Sequence, residues 1–249
     1  MDDLLNNREV NSMKKLNKHY SKIIPYYGER FGDSDKFERI ITTQRHEYID
    51  REKDKKNLNV LDLGCGPGLY LKHMNLIAKE LHACDLSSLM ITHAKKENKY
   101  VKFKIASAER LPYPDNCFDV IFCFNSFYHF ENQKNALREI SRVLKPDGVA
   151  YIEFYNGFHP FVILRRMLNI IISINSYGSF PFKLIAFCKK LSLTSQIEIM
   201  SFIECSSSVK KFLPSFLFNL LKQIENIKIP KLLFFRGMLI CKKYEKQES

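Results

Sequence analysis

Between Asn59 and Gly68 the chain reads NVLDLGCGPG, an apolar run carrying one carboxylate, Asp62, and then Gly64, Gly66 and Gly68 within five positions. A strand that runs into glycines at this spacing lets a ligand lie against its backbone, because no Cβ stands in the way. A nucleoside triphosphate loop is excluded, since no Lys-Ser or Lys-Thr follows the glycines. A pyrophosphate turn needs G-x-G-x-x-G; here the spacing is G-x-G-x-G with Pro67 inside it, which weakens a dinucleotide without excluding it.

Two carboxylates narrow the choice. Asp85 ends a second apolar run, ELHACD, at the distance where an acidic side chain accepts the ribose hydroxyls of an adenosine. Its competing role is to cap the helix that DLSS opens; its place beside the glycine loop favours the ribose. Asp62, on the strand before the glycines, suits an ammonium and not a pyrophosphate. A molecule with an adenosine and an amino-acid end is S-adenosylmethionine.

The elements that must position these groups follow a rhythm. The apolar runs NVLDLG, ELHACD, VKFKIAS, FDVIFCFN and GVAYIEF alternate with helical stretches near 70–77, 89–97 and 132–144. Strands spaced by helices predict right-handed βαβ units and a mostly parallel sheet covered on both faces. Before them, residues 11–51 read as amphipathic helix broken at IIPYYGERFGDSD, and REKDKKN reads as a charged hinge. After them, FVILRRMLNIIISI and FPFKLIAFCKKL read as helices, QIEIMSFIEC as a strand and LPSFLFNLLKQIENI as a helix opened by Pro214. FFRGMLICKKY is expected as an antiparallel edge strand. The expected fold is thus α/β, a Rossmann-like seven-stranded sheet with an N-terminal helical cap (1–57), a cofactor-binding core (58–156) and a helical lid with the last strands (157–249), in one domain.

From about Asn59 to Glu153 the chain resembles the class I S-adenosylmethionine-dependent methyltransferases of the small-molecule type. Asp62 to Gly68 matches D-x-G-x-G-x-G, and Asp85 in ACDLS matches the acidic residue closing strand two. SAERLPYPDNCFD matches the run after strand three; NSFYHF and RVLKPDG match a fourth motif. The resemblance implies that S-adenosyl-L-methionine contacts Asp62, Gly64, Cys65, Gly66, Gly68, Asp85, Leu86, Ser107, Ala108, Glu109 and Asn125. It also implies a cap folded over the cofactor, with Tyr27 as the foremost of Tyr20, Tyr26 and Tyr27 in an aromatic wall. Two departures stand out. Ser107 replaces the family's aspartate at the adenine amine, and PDGV places Asp147 where the family has a glycine.

In-line methyl transfer from a sulfonium needs no acid for the leaving group, only a placed acceptor and, for a hydroxyl or ammonium, a base. His129 in NSFYHF is the candidate base, its pKa lying near neutrality; packing beneath the cofactor is the competing role. His159, opening the segment after strand five, is a weaker candidate to face the acceptor. HACD and YHFEN hold ligand residue types without the spacing of a metal site.

Composition sets the remaining expectations. The net charge is +12, and residues 157–249 hold 14 basic against 5 acidic side chains. An anionic acceptor or membrane surface would meet that excess; a solvated lysine-rich face is the alternative. The acidic start MDDLLNNREV does not read as a signal or transit peptide. Seven cysteines without a CxxC pair fit reduced thiols in the cytoplasm. The leading expectation is a methyltransferase for a small, lipid-like or amphipathic acceptor. A tRNA wobble-uridine methyltransferase and a non-catalytic cofactor-binding partner are the alternatives, separable by tRNA retention and by cofactor titration.

Overall fold

A computed structural model describes residues 6–24, 36–55, 57–159, 179–201 and 236–244. The sheet has seven strands: β1 (Leu58–Leu63), β2 (Ala78–Asp85), β3 (Lys102–Ile105), β4 (Phe118–Cys123), β5 (Leu144–Tyr155), β6 (Leu193–Ser201) and β7 (Arg236–Lys243). Their order is β3-β2-β1-β4-β5-β7-β6. The first five are parallel, and β7 runs antiparallel to both β5 and β6. The strand order reverses between β1 and β4, so the crevice outside their carboxyl ends is the place for a ligand.

Alternate residues of the central strands feed two cores. Leu61, Leu63, Ile121 and Cys123 pack on one face with Leu137 and Ile140. Val60, Val120 and Phe122 pack on the other with Ile49, Leu71 and Ile91. Period-two alternation of wholly apolar residues is what a parallel sheet covered on both faces requires. The helices are α1 (Asn7–Tyr20), α2 (Lys36–Asp50), α3 (Leu71–Met74), α4 (Ser88–Glu97), α5 (Gln133–Val143) and α6 (Pro181–Lys190). Asn6 and Glu9 close a capping box on α1, and Pro181 opens α6 in its first turn. Among the described residues no helix is long and apolar enough to cross a membrane.

Three expectations change. The closing strand is not an edge: β7 lies between β5 and β6, and its Met238, Leu239 and Cys241 are wholly buried. The more polar β6, with Thr194, Gln196 and Glu198, takes the edge, where a mixed strand is tolerated. The helix after the glycines lasts one turn, because Ile77 must already turn into β2. The charged hinge hides a buried acid, Glu52, which accepts the Tyr151 hydroxyl at 2.6 Å. The departure at PDGV has a local account. Asp147 itself takes the left-handed position (φ 61°), while a Cβ on Gly148 would stand 2.9 Å from Leu144 Cδ1. The expected helices at 161–174 and 213–227, with Arg165 and Arg166, lie outside the described residues.

Candidate active site

The glycine loop leaves β1 and folds back on β2. The amides of Gly64 and Cys65 both donate to Cys84 O, at 2.8 and 3.1 Å. Gly64 holds φ 74°, and a Cβ there would meet Ser126 Cβ at 2.5 Å, so only glycine fits. Ser126 in turn donates to Leu63 O at 3.0 Å, which ties the end of β4 to the end of β1.

Asp85 does not cap α4; Ser87 does, its hydroxyl accepting the Met90 amide. The Asp85 carboxylate accepts the amides of Gly66 (3.0 Å) and Ser87 (2.8 Å). One acid therefore holds the loops after β1 and β2 in register, and each oxygen keeps a free lone-pair direction. Burial raises its pKa against the pull of those two amides. Asp62 is 2% exposed, and burial, with the Asp85 charge, pushes its pKa up to about 8.

Two cavities meet at this crevice. The larger, about 240 Å³, is lined by Gly64, Asp85, Leu86, Ser107, Ala108 and Glu109 and roofed by α1. The smaller, about 50 Å³, is lined by Asp62, Cys65, Gly66 and Asn125 together with Arg45 and Tyr70. Tyr20, Gly64, Asp85, Ser126 and His129 border both. Ser107 Oγ accepts the Glu109 amide at 3.2 Å, and Glu109 accepts the Asn132 amide, closing the loop after β3. Asn125 sits at φ 53°, its side-chain oxygen accepting the Tyr128 hydroxyl at 2.8 Å. His129 ends the 3-10 turn Phe127–His129, its amide bonded to Ser126 O at 2.8 Å.

Of the residues singled out in the sequence, twelve line one cavity or the other: Tyr20, Asp62, Gly64, Cys65, Gly66, Asp85, Leu86, Ser107, Ala108, Glu109, Asn125 and His129. Gly68 lines neither; its φ of 89° and close approach to Leu71 serve the entry into α3. His159 borders neither cavity; its amide donates to Asn156 O. Tyr26 and Tyr27 lie outside the described residues, and Tyr20 is the cap tyrosine at the site. Sequence reasoning missed Arg45, Tyr70 and Glu153. Arg45 Nε and Nη2 donate to the two oxygens of Glu153 at 2.8 and 2.9 Å, and Nη1 donates to Tyr70 Oη. The one local signal is a lone acid in the apolar run GVAYIEF.

Residues 61–152 match the family model described as "Methyltransferase domain". A malonyl-[acyl-carrier protein] O-methyltransferase of Pectobacterium atrosepticum is 26% identical over 136 residues, 54% of each chain. The methyltransferase YcgJ of Bacillus subtilis is 36% identical over 94 residues, 36% of this chain and 37% of that one. The chain thus spans about half, or less, of the length of these relatives. The YcgJ crystal structure superposes with a TM-score of 0.60 at 22% identity, covering 80% of this chain and 97% of that one. Magnesium protoporphyrin IX methyltransferase of Synechocystis, solved with bound S-adenosylhomocysteine, superposes at 0.61 and 11% identity over 94% and 99% of the two chains. Residues 61–152 thus form a methyltransferase domain, and the fold around them is that of the class I S-adenosylmethionine-dependent methyltransferases.

The cofactor of this methyltransferase domain is S-adenosylmethionine. The residues present fit it. Gly64 lines both cavities and Gly66 the smaller one, so each presents bare backbone there. Asp62, buried on the wall of the smaller cavity and in none of the ion pairs among the described residues, is an acid that an ammonium can meet there.

Proposed function

We propose that this chain is a methyltransferase that transfers a methyl group from S-adenosylmethionine to a small, lipid-like or amphipathic acceptor. The observation that carries the reading is the pair of connected cavities with one shared wall. The larger has Asp85 for the ribose hydroxyls and Ser107 and Ala108 for the adenine. The smaller has Asp62 for the ammonium. When bound, S-adenosylmethionine supplies an electrophilic methyl group on its sulfonium. Tyr20 and His129, which border both cavities, stand where the two halves of that molecule join. An imidazole nitrogen of His129 takes the proton of an acceptor hydroxyl or ammonium as the methyl group is transferred.

The acceptor class is supported by apolar rings after β5, outside the two cavities, and by the names of relatives. Phe158 packs edge-on against Phe180 at 4.8 Å and lies 6.4 Å from Phe182, at the two ends of the segment that leaves and re-enters after β5. The related Pectobacterium enzyme is named for a malonyl group on a carrier protein, and the Synechocystis one for a porphyrin. We read residues 1–57 as cap, 58–156 as cofactor core and 157–249 as acceptor-facing lid plus final strands, in a cytoplasmic enzyme.

The test follows label from methyl-labelled S-adenosylmethionine into a panel of malonyl and fatty acyl carriers, quinols and free carboxylic acids, with total tRNA as a further arm. Label in an amphipathic acceptor, reduced about a hundredfold or more in His129→Gln, is the expected outcome, given the usual worth of a general base. Label in tRNA alone would replace the acceptor class.

A further inference from the structure

The helix α6 turns apolar side chains both inward and outward. Pro181, Leu184 and Cys188 are buried, the last two in one cluster with Leu193 and Leu239. On the other side Phe182, Ile185, Ala186 and Lys189 follow the spacing i, i+3, i+4, i+7 and form one exposed stripe. Phe182 is 65% exposed and Ile185 37%, whereas an ordinary surface helix keeps its large apolar side chains on one face. Cations and no acids surround that stripe. α6 carries Lys183, Lys189 and Lys190, with no aspartate or glutamate in its ten residues. Beside it on α5, Lys134 Nζ and Arg138 Cζ lie 5.9 and 5.2 Å from the centre of the Phe187 ring, so the two helices present their charge together. None of these five cations makes an ion pair among the described residues. The acids close to them in the chain are engaged elsewhere, Glu131 by Arg8 and Glu139 by Arg142.

Both helices start at the crevice end of the sheet. α5 follows the 3-10 turn that ends in His129, and α6 follows Ser179, which bridges to Asn156 just beyond β5. Ser179 Oγ donates to Gln133 Oε1 at 2.8 Å and ties the two starts together. Exposed apolar side chains ringed by unpaired cations match an interface that is anionic at its surface and apolar beneath. Lysine stems reach past their apolar neighbours to the headgroups while the rings enter the acyl boundary. We propose that the outer face of α6, with Lys134 and Arg138 of α5, docks on an anionic phospholipid surface, Phe182 and Ile185 entering it. The surface is built from α5 and α6 alone, so it stands whether or not the acceptor proposed above is correct. Docking there brings the starts of both helices, and with them the His129 turn, towards the lipid.

The experiment is co-sedimentation of the full chain with vesicles of phosphatidylcholine alone or with phosphatidylglycerol, at low salt and at about 1 M salt. Wild type is expected to pellet with the anionic vesicles only, and to leave them at high salt. Lys183→Gln/Lys189→Gln should weaken binding about twentyfold, at about fivefold for each lysine. The matched pair Lys95→Gln/Lys96→Gln removes two exposed lysines of α4, whose core residues pack on the opposite face of the sheet, and should change binding by less than about twofold. Phe182→Ser should weaken binding about tenfold; if that variant loses its cooperative melt, Ile185→Ser makes the same test. The chain has no tryptophan, so Phe182→Trp carries a single reporter. Its emission should shift to the blue on anionic vesicles and be quenched by brominated acyl chains. No pelleting with anionic vesicles overturns the proposal, as does equal weakening by the two lysine pairs, which would make the attraction one of net charge. An unshifted emission from vesicle-bound Phe182→Trp would leave the rings outside the lipid and overturn it as well. Binding of an acidic acyl carrier protein through Lys183 and Lys189 without vesicle binding would give the face to a protein, and a dimer that Phe182→Ser returns to monomer would give it to a second copy. Either result overturns the proposal.

Discussion

Asp62 is the residue whose chemistry differs most from that of a free aspartate. Burial first, and then the nearby Asp85 charge, lift its pKa from 3.8 to about 8. The ligand-free folded chain therefore keeps a proton that the unfolded chain gives up. This contribution to stability is full below about pH 4 and is lost as the pH rises through about 8. A bound ammonium reverses the preference and favours the carboxylate. Binding of S-adenosylhomocysteine near pH 7 is thus expected to release about one proton. Calorimetry in phosphate and in Tris should then give different enthalpies, and Asp62→Asn should erase the difference while weakening binding. Identical enthalpies in wild type would mean that Asp62 is already ionised in the free protein. Asp85 works differently: its two backbone bonds keep the glycine loop and the turn before α4 together before any ligand arrives.

At the scale of elements, α1 roofs the larger cavity without burying a single residue. Its attachment joins half-buried Val10, Met13 and Leu16 to a set of polar bonds. Arg8 and Ser12 both meet Glu131, Glu9 meets Arg110, and Asn17 meets Ser87 and Ser88. Exposed ion pairs contribute about 0–1 kcal/mol each and are screened by salt. A roof held this way opens at small cost, which suits a helix that must admit and release a cofactor. Glu131→Ala is expected to speed tryptic cleavage at Lys14, Lys15 and Lys18, and S-adenosylhomocysteine to slow it again. The thermal midpoint should fall by no more than about 2–4 °C, because the core is untouched. Cleavage as slow as in wild type would show that the roof is held by something other than this latch.

For the molecule as a whole, the described part of the last third completes the sheet. β7 fills the place between β5 and β6, and three of its residues are wholly buried. Part of the basic excess is consumed there. Arg236 pairs with Glu153, Lys242 with Asp147, and Lys243 Nζ donates to Asn116, Ser141 and Leu144 at 2.6–2.7 Å. Lys183, Lys189 and Lys190 stay exposed on α6. A chain ended after Asn156 keeps every residue of the glycine motif but leaves the apolar β5 as a bare edge and Glu153 without Arg236. It is expected to aggregate or to melt without a cooperative transition, since an exposed hydrophobic edge strand invites pairing with other copies. A soluble, cooperatively melting fragment that binds S-adenosylhomocysteine would make 58–156 an independent domain.

The sequence by itself determined the glycine loop, Asp62, Asp85, Ser107 and the βαβ rhythm, because each is written in neighbouring residues. A left-handed turn needs glycine where it occurs, an alternating apolar run shows its own faces, and an acid at a strand end stands out within a few positions. What lay beyond it was long-range. The sequence carried both β6 and β7, but which of them takes the edge depends on β5, some ninety positions away from β7. Arg45 and Glu153 meet across 108 positions, and neither segment bears a local mark of the other. Only the assembled sheet, with α2 packed beside it, brings the Arg45 guanidinium to the cavity that Asp62 lines. Burial then decides that the charges there are too costly to stand alone.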